Sequence, residues 1–348
     1  MGRITIKEVA ARCNVGVSTV SRALNNHPDI NEETREKIMK VIKETGFIPN
    51  NSARNLKMRE SNSIGLLVKG IYNTFFGDMI RIISEAAQKK GYSLILRHID
   101  KDEDEVDAAL ALVLEQKLKG IVFLGGNFTH DSKKLKKLGI PFVFSTIGKD
   151  VEGRNDSGKL TYSNVAVDDE KAGFEAVEYL INEGHRNIAI VTEDLSEPSV
   201  GMLRYRGYCR ALEKHGIKVQ SRLVYEIGGF GDHYTMANGY AAGQKLFGEN
   251  RDITGIFCIA DVLAIGVCRA AAEMGITIPG ELSVMGFDGI EMTEYYNPKL
   301  TTVAQPIERM AQVTAAHLFD LIDGTSEPQD IVMPAELVIR ESTGPCNS

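Results

Sequence analysis

Short hydrogen-bonding side chains are concentrated on one face of a helix predicted to run from Val17 to Asn25. That face carries hydroxyl and amide groups and one guanidinium: Ser18, Thr19, Ser21, Asn25 and Arg22. A solvated helix face usually carries Glu and Lys, whereas a helix that reads the DNA major groove needs short polar groups without negative charge near its start. These residue types and their spacing therefore indicate contact with a nucleic acid.

The residues before this helix predict another helix that ends in a tight turn. Thr5 lies three positions before Glu8, which is the capping-box spacing in which each side chain binds the other residue's backbone N–H. The apolar residues that fall on one helical face are Ile6, Val9, Ala10 and Cys13. Asn14-Val15-Gly16 then ends the helix, so the two helices form a helix-turn-helix pattern. An ordinary three-helix bundle with a polar face is the alternative.

A third helix is predicted from Glu32 to Thr45, capped by Asn31, and it completes a headpiece of residues 1–48. Residues 49–60 follow as a basic linker with too few apolar side chains for a stable isolated helix. The linker is either a disordered tether or a hinge helix that orders on DNA and places Leu56 in the minor groove.

Apolar runs of strand length alternate with amphipathic helices from residue 61 to residue 348. The runs are continuous rather than alternating with polar residues, which predicts parallel strands buried on both faces. The β–α alternation occurs in two successive series, so we expect two doubly wound parallel sheets in two lobes, with a cleft at the strand carboxyl ends. Lobe one is expected over about 61–165 and 293–325, and lobe two over about 166–292 and 326–348.

The chain has 348 residues, 43% of them hydrophobic, and a net charge of −7 that is unevenly distributed. Residues 1–59 carry 11 Lys and Arg against 6 Asp and Glu, whereas the remainder carries 29 against 41. A basic head on an acidic body is typical of a polyanion-binding domain joined to a regulatory one. DNA would repel the acidic body, so we expect the head to make the DNA contacts.

No apolar run reaches the ~18 residues of a transmembrane helix, and the N-terminal MGRITIKEVA lacks the apolar region of a signal peptide. The five cysteines are scattered, odd in number and without a C-x-x-C pair, which suits free thiols in a reducing cytoplasm. We therefore expect a cytoplasmic protein with no membrane partner.

Enzyme motifs are missing from the sequence. No G-x-G-x-x-G follows the first predicted strand, no G-x-x-x-x-G-K-[ST] occurs, and no paired His or Cys residues have metal-ligand spacing. We therefore expect no catalytic residue, no metal site and no cofactor. A transport-type sugar-binding protein would share the two-lobed body but would need a secretion signal and no basic head. A nucleic-acid-binding protein without a ligand is the remaining alternative.

Ordered motifs extend over essentially the whole chain and resemble those of the lac-repressor (LacI/GalR) family of transcriptional regulators. The headpiece motif is TIKEVAARCNVGVSTVSRALN, followed by TREKI, GFIPN and A-x-x-L. The motifs of the body are Asn73-Thr74-Phe75-Phe76, Gly184-His185-Arg186-Asn187-Ile188-Ala189, Arg204-x-x-Gly207-Tyr208, Asp261-x-x-Ala264-x-Gly266, Gly286-Phe287-Asp288 and Pro298-x-Leu300-Thr301-Thr302-Val303-x-Gln305. The resemblance implies an all-α helix-turn-helix headpiece on an α/β two-lobed body like that of periplasmic binding proteins. It also implies a repressor that binds palindromic operator DNA as a homodimer or larger oligomer, with a small-molecule effector in the cleft.

The resemblance implies DNA contacts for residues of the headpiece and the linker. Base-reading positions are Val17, Ser18 and Arg22, and phosphate-binding positions are Thr5, Thr19, Ser21, Thr34 and Asn50. Ala53 and Leu56 match hinge-helix positions that enter the minor groove. Val17 cannot donate a hydrogen bond, so its base should be read by apolar contact, for example with a thymine methyl. Gly16 replaces a hydroxyl residue common in the family, which leaves one phosphate contact to the backbone.

The resemblance also implies effector contacts for Phe75, Phe76, Arg204, Tyr234, Asp261 and Asp288. An aromatic platform with Arg and Asp on opposite walls can stack on a ring and bind hydroxyls or a charged group. The alternatives are structural: Phe75 as a core residue, Asp288 as a turn cap and Arg204 as a solvated helix residue. Sugar-binding members often carry Asn where this chain has Ala260. We expect a sugar or sugar derivative, with a nucleobase, a sugar phosphate or a protein corepressor as alternatives.

Overall fold

The computed structural model describes residues 4–24, 29–45, 47, 62–71, 73–100, 103–126, 132–148, 160–196, 198–228 and 232–346. They divide into two compact units, one within residues 1–61 and the other within residues 62–348. The predicted linker of residues 49–60 lies outside the described residues, and so do the predicted DNA-facing side chains of Asn25, Asn50, Ala53 and Leu56. None of the described helices is long and apolar enough to cross a membrane.

The described part of the headpiece contains α1 (Ile6–Cys13), α2 (Val17–Leu24) and α3 (Glu32–Thr45). The predicted capping box is confirmed at the start of α1. The Thr5 hydroxyl accepts a hydrogen bond from the Glu8 N–H at 3.4 Å, and the Glu8 carboxylate accepts one from the Thr5 N–H at 2.6 Å. Asn14 ends α1 in the left-handed conformation, with φ of 55°. The Asn31 side chain caps α3 by accepting from the Glu33 N–H at 2.8 Å.

One apolar cluster joins the headpiece helices. Its buried members come from all three helices and from the segment that follows them: Val9, Ala10, Cys13, Val20, Ala23, Ile38 and Phe47. The helices therefore turn their apolar stripes inward, and the polar face of α2 stays outside, as the sequence predicts. Such a small core is marginal for a domain, so the caps of α1 and α3 contribute a relevant share of the stability.

The body consists of alternating strands and helices. Its strands are β1 (Ser63–Lys69), β2 (Ser93–Ile99), β3 (Gly120–Leu124), β4 (Phe142–Ser145), β5 (Ser163–Val167), β6 (Ile188–Glu193), β7 (Val224–Ile227), β8 (Gly255–Cys258), β9 (Ser283–Asp288), β10 (Thr301–Ala304), β11 (Asp330–Met333) and β12 (Glu336–Val338). Its helices are α4 (Phe75–Lys89), α5 (Glu105–Gln116), α6 (Ser132–Lys136), α7 (Asp169–Asn182), α8 (Val200–Lys214), α9 (Met236–Glu249), α10 (Asp261–Glu273), α11 (Met292–Tyr295) and α12 (Ile307–Ile322), with a 3-10 turn at Ser221–Leu223. The predicted alternation of strands and helices is confirmed. The structure also contains two short elements that the sequence does not predict, β10 and α11.

Two six-stranded sheets form the centres of two lobes. In lobe one the strand order is β11-β5-β4-β3-β1-β2, and every pair is parallel. In lobe two the order is β12-β10-β9-β8-β6-β7, with only the pair of β10 and β12 antiparallel. The central strands are buried along their length, as their continuous apolar runs predict.

Two strands correct the predicted lobe boundaries. β10 pairs with β9, so residues 301–304 belong to lobe two, although the sequence predicts lobe one for 293–325. β11 pairs with β5, so residues 330–333 belong to lobe one, although the sequence predicts lobe two for 326–348. Each strand has only four residues, and so short a run does not specify which of two sheet edges it joins. The described chain therefore crosses between the lobes after β5, after β10 and after β11.

Helices α7 and α8 come into close contact at Gly207, where a Cβ atom would collide with the backbone of Glu170 and Phe174. We expect Gly207→Ala to push the helices apart and to lower the free energy of unfolding of the body by about 1–3 kcal/mol. Gly248→Ala is the control, because a Cβ there meets no atom within 4 Å. This control substitution should raise the free energy of unfolding by roughly 0.5–1 kcal/mol, since alanine is the better helix former. Urea and thermal unfolding measure the stability of both variants. Equal unfolding midpoints for Gly207→Ala and Gly248→Ala would contradict the close-contact explanation.

Candidate functional site

The DNA-facing surface predicted for the headpiece is accessible. The predicted base and phosphate contacts that the structure describes are all exposed or half-buried: Thr5, Val17, Ser18, Thr19, Ser21, Arg22 and Thr34. Val17 is 41% exposed at the start of α2, as an apolar contact with a base requires. The first turn of α2 contains no acidic residue, so its N-terminal end does not repel a phosphate.

Arg22 forms an ion pair within the headpiece. Its Nη1 donates a hydrogen bond to Asp29 Oδ2 at 3.1 Å. The two side chains remain 57% and 47% exposed, and such a pair contributes ~0–1 kcal/mol. A base edge or a phosphate can therefore replace Asp29 at small cost. The pairing is not evident from the sequence because Asp29 lies beyond the end of α2.

A cavity of about 340 Å³ lies between the two lobes of the body, at the carboxyl ends of the strands. Lys69 ends β1, Glu193 ends β6 and Asp288 ends β9, and all three line the cavity. Other walls are formed by Asn73, Phe75 and Phe76 of lobe one and by Arg204, Tyr234 and Gln305 of lobe two. The cavity thus lies where doubly wound sheets place their ligands.

Asp288 connects the lobes inside this cavity. Its carboxylate accepts hydrogen bonds from the amide of Asn73 in lobe one at 3.0 Å and from the amide of Gln305 at 2.9 Å. Arg204 Nη1 lies 3.8 Å away. The Asp288 backbone has φ of 119°, a strained value for a residue with a side chain, so the surrounding contacts must hold it there. Burial raises the pKa of Asp288, and Arg204 opposes that shift.

Arg204 is buried and engaged on all sides. Its Nε donates to Asp169 Oδ1 at 2.9 Å, and Nη2 lies 2.8 Å from the same oxygen. Its Nη1 donates to the Ile259 carbonyl at 2.5 Å, and the guanidinium lies 3.6 Å from the centroid of the Phe287 ring. Burial lowers the Arg204 pKa, but Asp169 and Asp288 raise it by more, so the group stays charged. Arg204 is therefore not a solvated helix residue.

Tyr234 and Glu193 form a second polar pair in the cavity wall. The Tyr234 hydroxyl donates to Glu193 Oε1 at 2.9 Å, and the same oxygen accepts from the Gly201 N–H at 2.9 Å. Burial raises the pKa of Tyr234 well above its ordinary value, so the phenol remains a neutral donor. Phe75 and Phe76 form the apolar wall, with ring centroids 5.4 Å apart in an edge-to-face arrangement.

Asp261 does not line the cavity, which corrects its predicted place among the effector contacts. Its carboxylate is buried behind the wall and accepts hydrogen bonds from Thr302 Oγ1 at 2.6 Å, the Gly289 N–H at 2.7 Å and the Ile290 N–H at 3.0 Å. Asp261 therefore holds the turn that follows Asp288. The residue pattern does not separate the two roles, because Asp288 ends a buried strand and Asp261 closely follows another.

Several polar residues of the cavity were not predicted from the sequence: Lys69, Asn73, Glu193 and Gln305. Asn73 and Gln305 occur within the quoted motifs, but their side chains carry no charge that would single them out. Lys69 and Glu193 are polar residues that end otherwise apolar strands, and this position is the signal by which they could be found.

Comparison with known proteins identifies both parts of the chain. Residues 5–50 match the model of bacterial regulatory proteins of the lacI family, and residues 177–343 match that of the periplasmic binding protein-like domain. The chain is 37% identical to the HTH-type transcriptional regulator MalR of Clostridium butyricum, over 97% of this chain and 99% of that protein. This chain belongs to the lacI family. It is also 32% identical to catabolite control protein A of Priestia megaterium, over 98% of this chain and 99% of that protein.

Solved structures share the fold of this lacI-family member. The transcriptional regulator CelR in its cellobiose complex has a TM-score of 0.69 and 27% identity, and covers 98% of this chain and 100% of that one. The lac repressor dimer bound to operator and the anti-inducer ONPF has a TM-score of 0.77 and 24% identity. The match covers 99% of this chain and 100% of that one. The predicted two-part fold is confirmed. As a lacI-family member, the protein is a DNA-binding transcriptional regulator and not an enzyme.

We expect Asp261→Ala to lower the free energy of unfolding of the body by about 2–6 kcal/mol, because two backbone N–H groups lose their buried acceptor at ~1–3 kcal/mol each. Glu291→Ala removes an exposed carboxylate beside the same turn and should change stability by less than about 0.5 kcal/mol. Thermal unfolding compares the two variants. If Asp261→Ala kept the stability of the parent protein but lost the response to a ligand, Asp261 would be an effector contact, as the sequence predicts.

Proposed function

We propose that this regulator is a cytoplasmic repressor that binds a palindromic operator as a homodimer and responds to a sugar or sugar derivative in the cleft. The contact between Asp288 of lobe two and Asn73 of lobe one, at 3.0 Å, carries the proposal. A ligand that competes with Asn73 for Asp288 would change the contact between the lobes. Ligand binding and the opening or closing of the cleft are therefore linked, as an effector response requires.

The headpiece supports operator binding through two kinds of contact. The proposed base-reading residues are Val17, Ser18 and Arg22, and the proposed phosphate contacts are Thr5, Thr19, Ser21 and Thr34, with Asn50, Ala53 and Leu56 of the linker beyond them. Phosphate contacts set the position of the protein on the duplex, and base contacts supply the specificity. In a dimer, the two α2 helices would read half-sites about 34 Å apart, one turn of the double helix.

The crossings between the lobes support a route from the ligand to the DNA. They allow one lobe to rotate against the other when a ligand closes the cleft. The linker from the headpiece enters the body directly before β1 of lobe one, so a rotation of lobe one against its dimer mate would change the separation of the two linkers. A coupling of about 1–3 kcal/mol between effector and operator is typical of such systems.

Two relatives of known structure support a sugar as the effector. CelR was solved with cellobiose, and a LacI family regulator from Enterococcus faecium was solved with bound ribose. The latter is 29% identical, covers 81% of this chain and 99% of that one, and has a TM-score of 0.68. In the present cleft, carboxylates of lobe two and amides from both lobes can bind hydroxyl groups beside an aromatic wall. That combination suits a polyhydroxylated ring.

Arg22→Ala should weaken operator binding by about 1–3 kcal/mol and relax the preference at one base pair, because a bidentate contact with guanine is lost. Arg22→Lys is the matched control: it keeps the charge but cannot form the two parallel hydrogen bonds. It should lose operator preference and still bind random DNA. Fluorescence anisotropy with both duplexes at one salt concentration measures these effects. Equal losses on operator and random DNA would instead make Arg22 a phosphate contact.

Asp288→Asn should abolish the response of operator binding to the sugar, while operator affinity without the sugar stays near that of the parent. The amide keeps the size of the side chain but loses the charged acceptor proposed for the ligand. A thermal-shift screen first finds the responsive sugar, since a ligand at roughly 100 times its Kd stabilises by about 2.7 kcal/mol. Fluorescence anisotropy then measures the affinity for the operator with and without that sugar. Lost operator binding in a folded Asp288→Asn variant would make the residue structural and place the effector elsewhere.

A further inference from the structure

We infer that Asp29 contributes to the base preference of the headpiece by holding the Arg22 side chain in an orientation that binds a guanine. Asp29 is thus a positioning residue, which acts on DNA through Arg22. The inference rests on the proposed base-reading role of Arg22 and adds a second residue to it. The supporting observation is which nitrogen of the guanidinium the carboxylate binds.

Asp29 binds the guanidinium of Arg22 at one corner. Asp29 Oδ2 accepts a hydrogen bond from Arg22 Nη1 at 3.1 Å. Within the described headpiece, the other two guanidinium nitrogens, Nε and Nη2, form no hydrogen bond. Nε and Nη2 carry N–H groups along one edge of the planar guanidinium, and such an edge can donate two hydrogen bonds to O6 and N7 of a guanine. Guanine can therefore bind Arg22 without replacing Asp29.

Packed elements of the headpiece hold both partners of this ion pair. Arg22 lies on α2, which is anchored in the headpiece core by side chains that include the fully buried Val20. Asp29 is followed by Ile30, which packs against the same core, and by Asn31, which caps α3. The backbones of the two residues therefore keep a fixed relative position. An arginine side chain has many rotamers, so a partner on a fixed backbone lowers the entropy cost of ordering it on DNA.

A phosphate contact would have a different effect on the ion pair. A phosphate and a base edge occupy different positions around the groove, so Arg22 must leave the held orientation to reach a phosphate. That movement separates Arg22 from Asp29 and leaves a carboxylate beside the polyanion. The ion pair is thus kept in the guanine complex and lost in the phosphate contact, so it favours guanine. The side chains are 57% and 47% exposed, and an ion pair so exposed should change the preference by at most about fivefold.

Fluorescence anisotropy of the full-length protein tests the inference with an operator selected from random duplexes and with duplexes that change one base pair at a time. Arg22→Ala first identifies the base pair whose preference depends on Arg22. Asp29→Asn keeps the size of the side chain but removes its charge. It should reduce the preference at that base pair about threefold to fivefold and leave the preferences at the other base pairs unchanged. Relaxed preference at every base pair would indicate damage to the headpiece and would overturn the positioning role.

Two further variants separate the action through Arg22 from the general effect of the Asp29 charge. Glu36→Gln removes a carboxylate from an exposed position of α3 and should leave every base preference unchanged. In a protein that already carries Arg22→Gln, Asp29→Asn should have no further effect on base preference, because the residue through which it acts is missing. An equal change in both backgrounds would overturn the inference.

The proposed role of Arg22 and the inference about Asp29 fail in different ways. If Arg22→Ala weakens binding equally on all duplexes, Arg22 does not read a base, and both are overturned. If Arg22→Ala relaxes the preference at one base pair and Asp29→Asn leaves that preference intact, only the inference about Asp29 is overturned.

Discussion

Burying a charge is unfavourable unless the charge is paired, and the cleft of this regulator is organised by that constraint. The guanidinium of Arg204 lies between the carboxylates of Asp169 and Asp288, and each of the three side chains is at most 5% exposed. The Ile259 carbonyl accepts a further hydrogen bond from Arg204. Asp288 then reaches lobe one through Asn73. Asp288 thus takes part both in the buried charge cluster of lobe two and in the hydrogen bond between the lobes. The proposed effector would therefore meet a cluster of buried, interacting charges rather than an open surface.

The headpiece and the body use charge in opposite ways. The pair of Arg22 and Asp29 is half exposed, so water and salt screen it and a nucleic acid can exchange for it. The pair of Lys69 and Glu105 is largely buried, so water and salt screen it far less. DNA binding by the headpiece should therefore fall steeply with ionic strength, whereas ligand binding in the body should depend on it weakly.

Local features of this chain could be predicted from its sequence, because caps and periodicity act over a few residues. Thr5 and Glu8 mark the start of α1, and continuous apolar runs mark the buried strands. The sheet that β10 or β11 joins depends on long-range pairing, which a four-residue run does not encode. The residues of the cavity also divide into those that the local sequence indicates and those that the assembled fold decides. The position of Asp288 in a motif places it among the candidate cavity residues. Only the assembled fold shows that the Asp261 side chain points toward the turn behind the wall.

The place of β11 has a consequence for biosynthesis. β11 completes the sheet of lobe one beside β5, and Asp330 reaches Asn164 across 166 residues of chain. Strands β6 to β10 of lobe two form one continuous stretch and can pair earlier on the ribosome. During that time the edge of β5 lacks its partner, and an open strand edge in a slowly folding chain is prone to aggregation. Loss of the last few dozen residues, which include β11, should therefore damage lobe one, although most of that lobe is formed by residues far earlier in the chain.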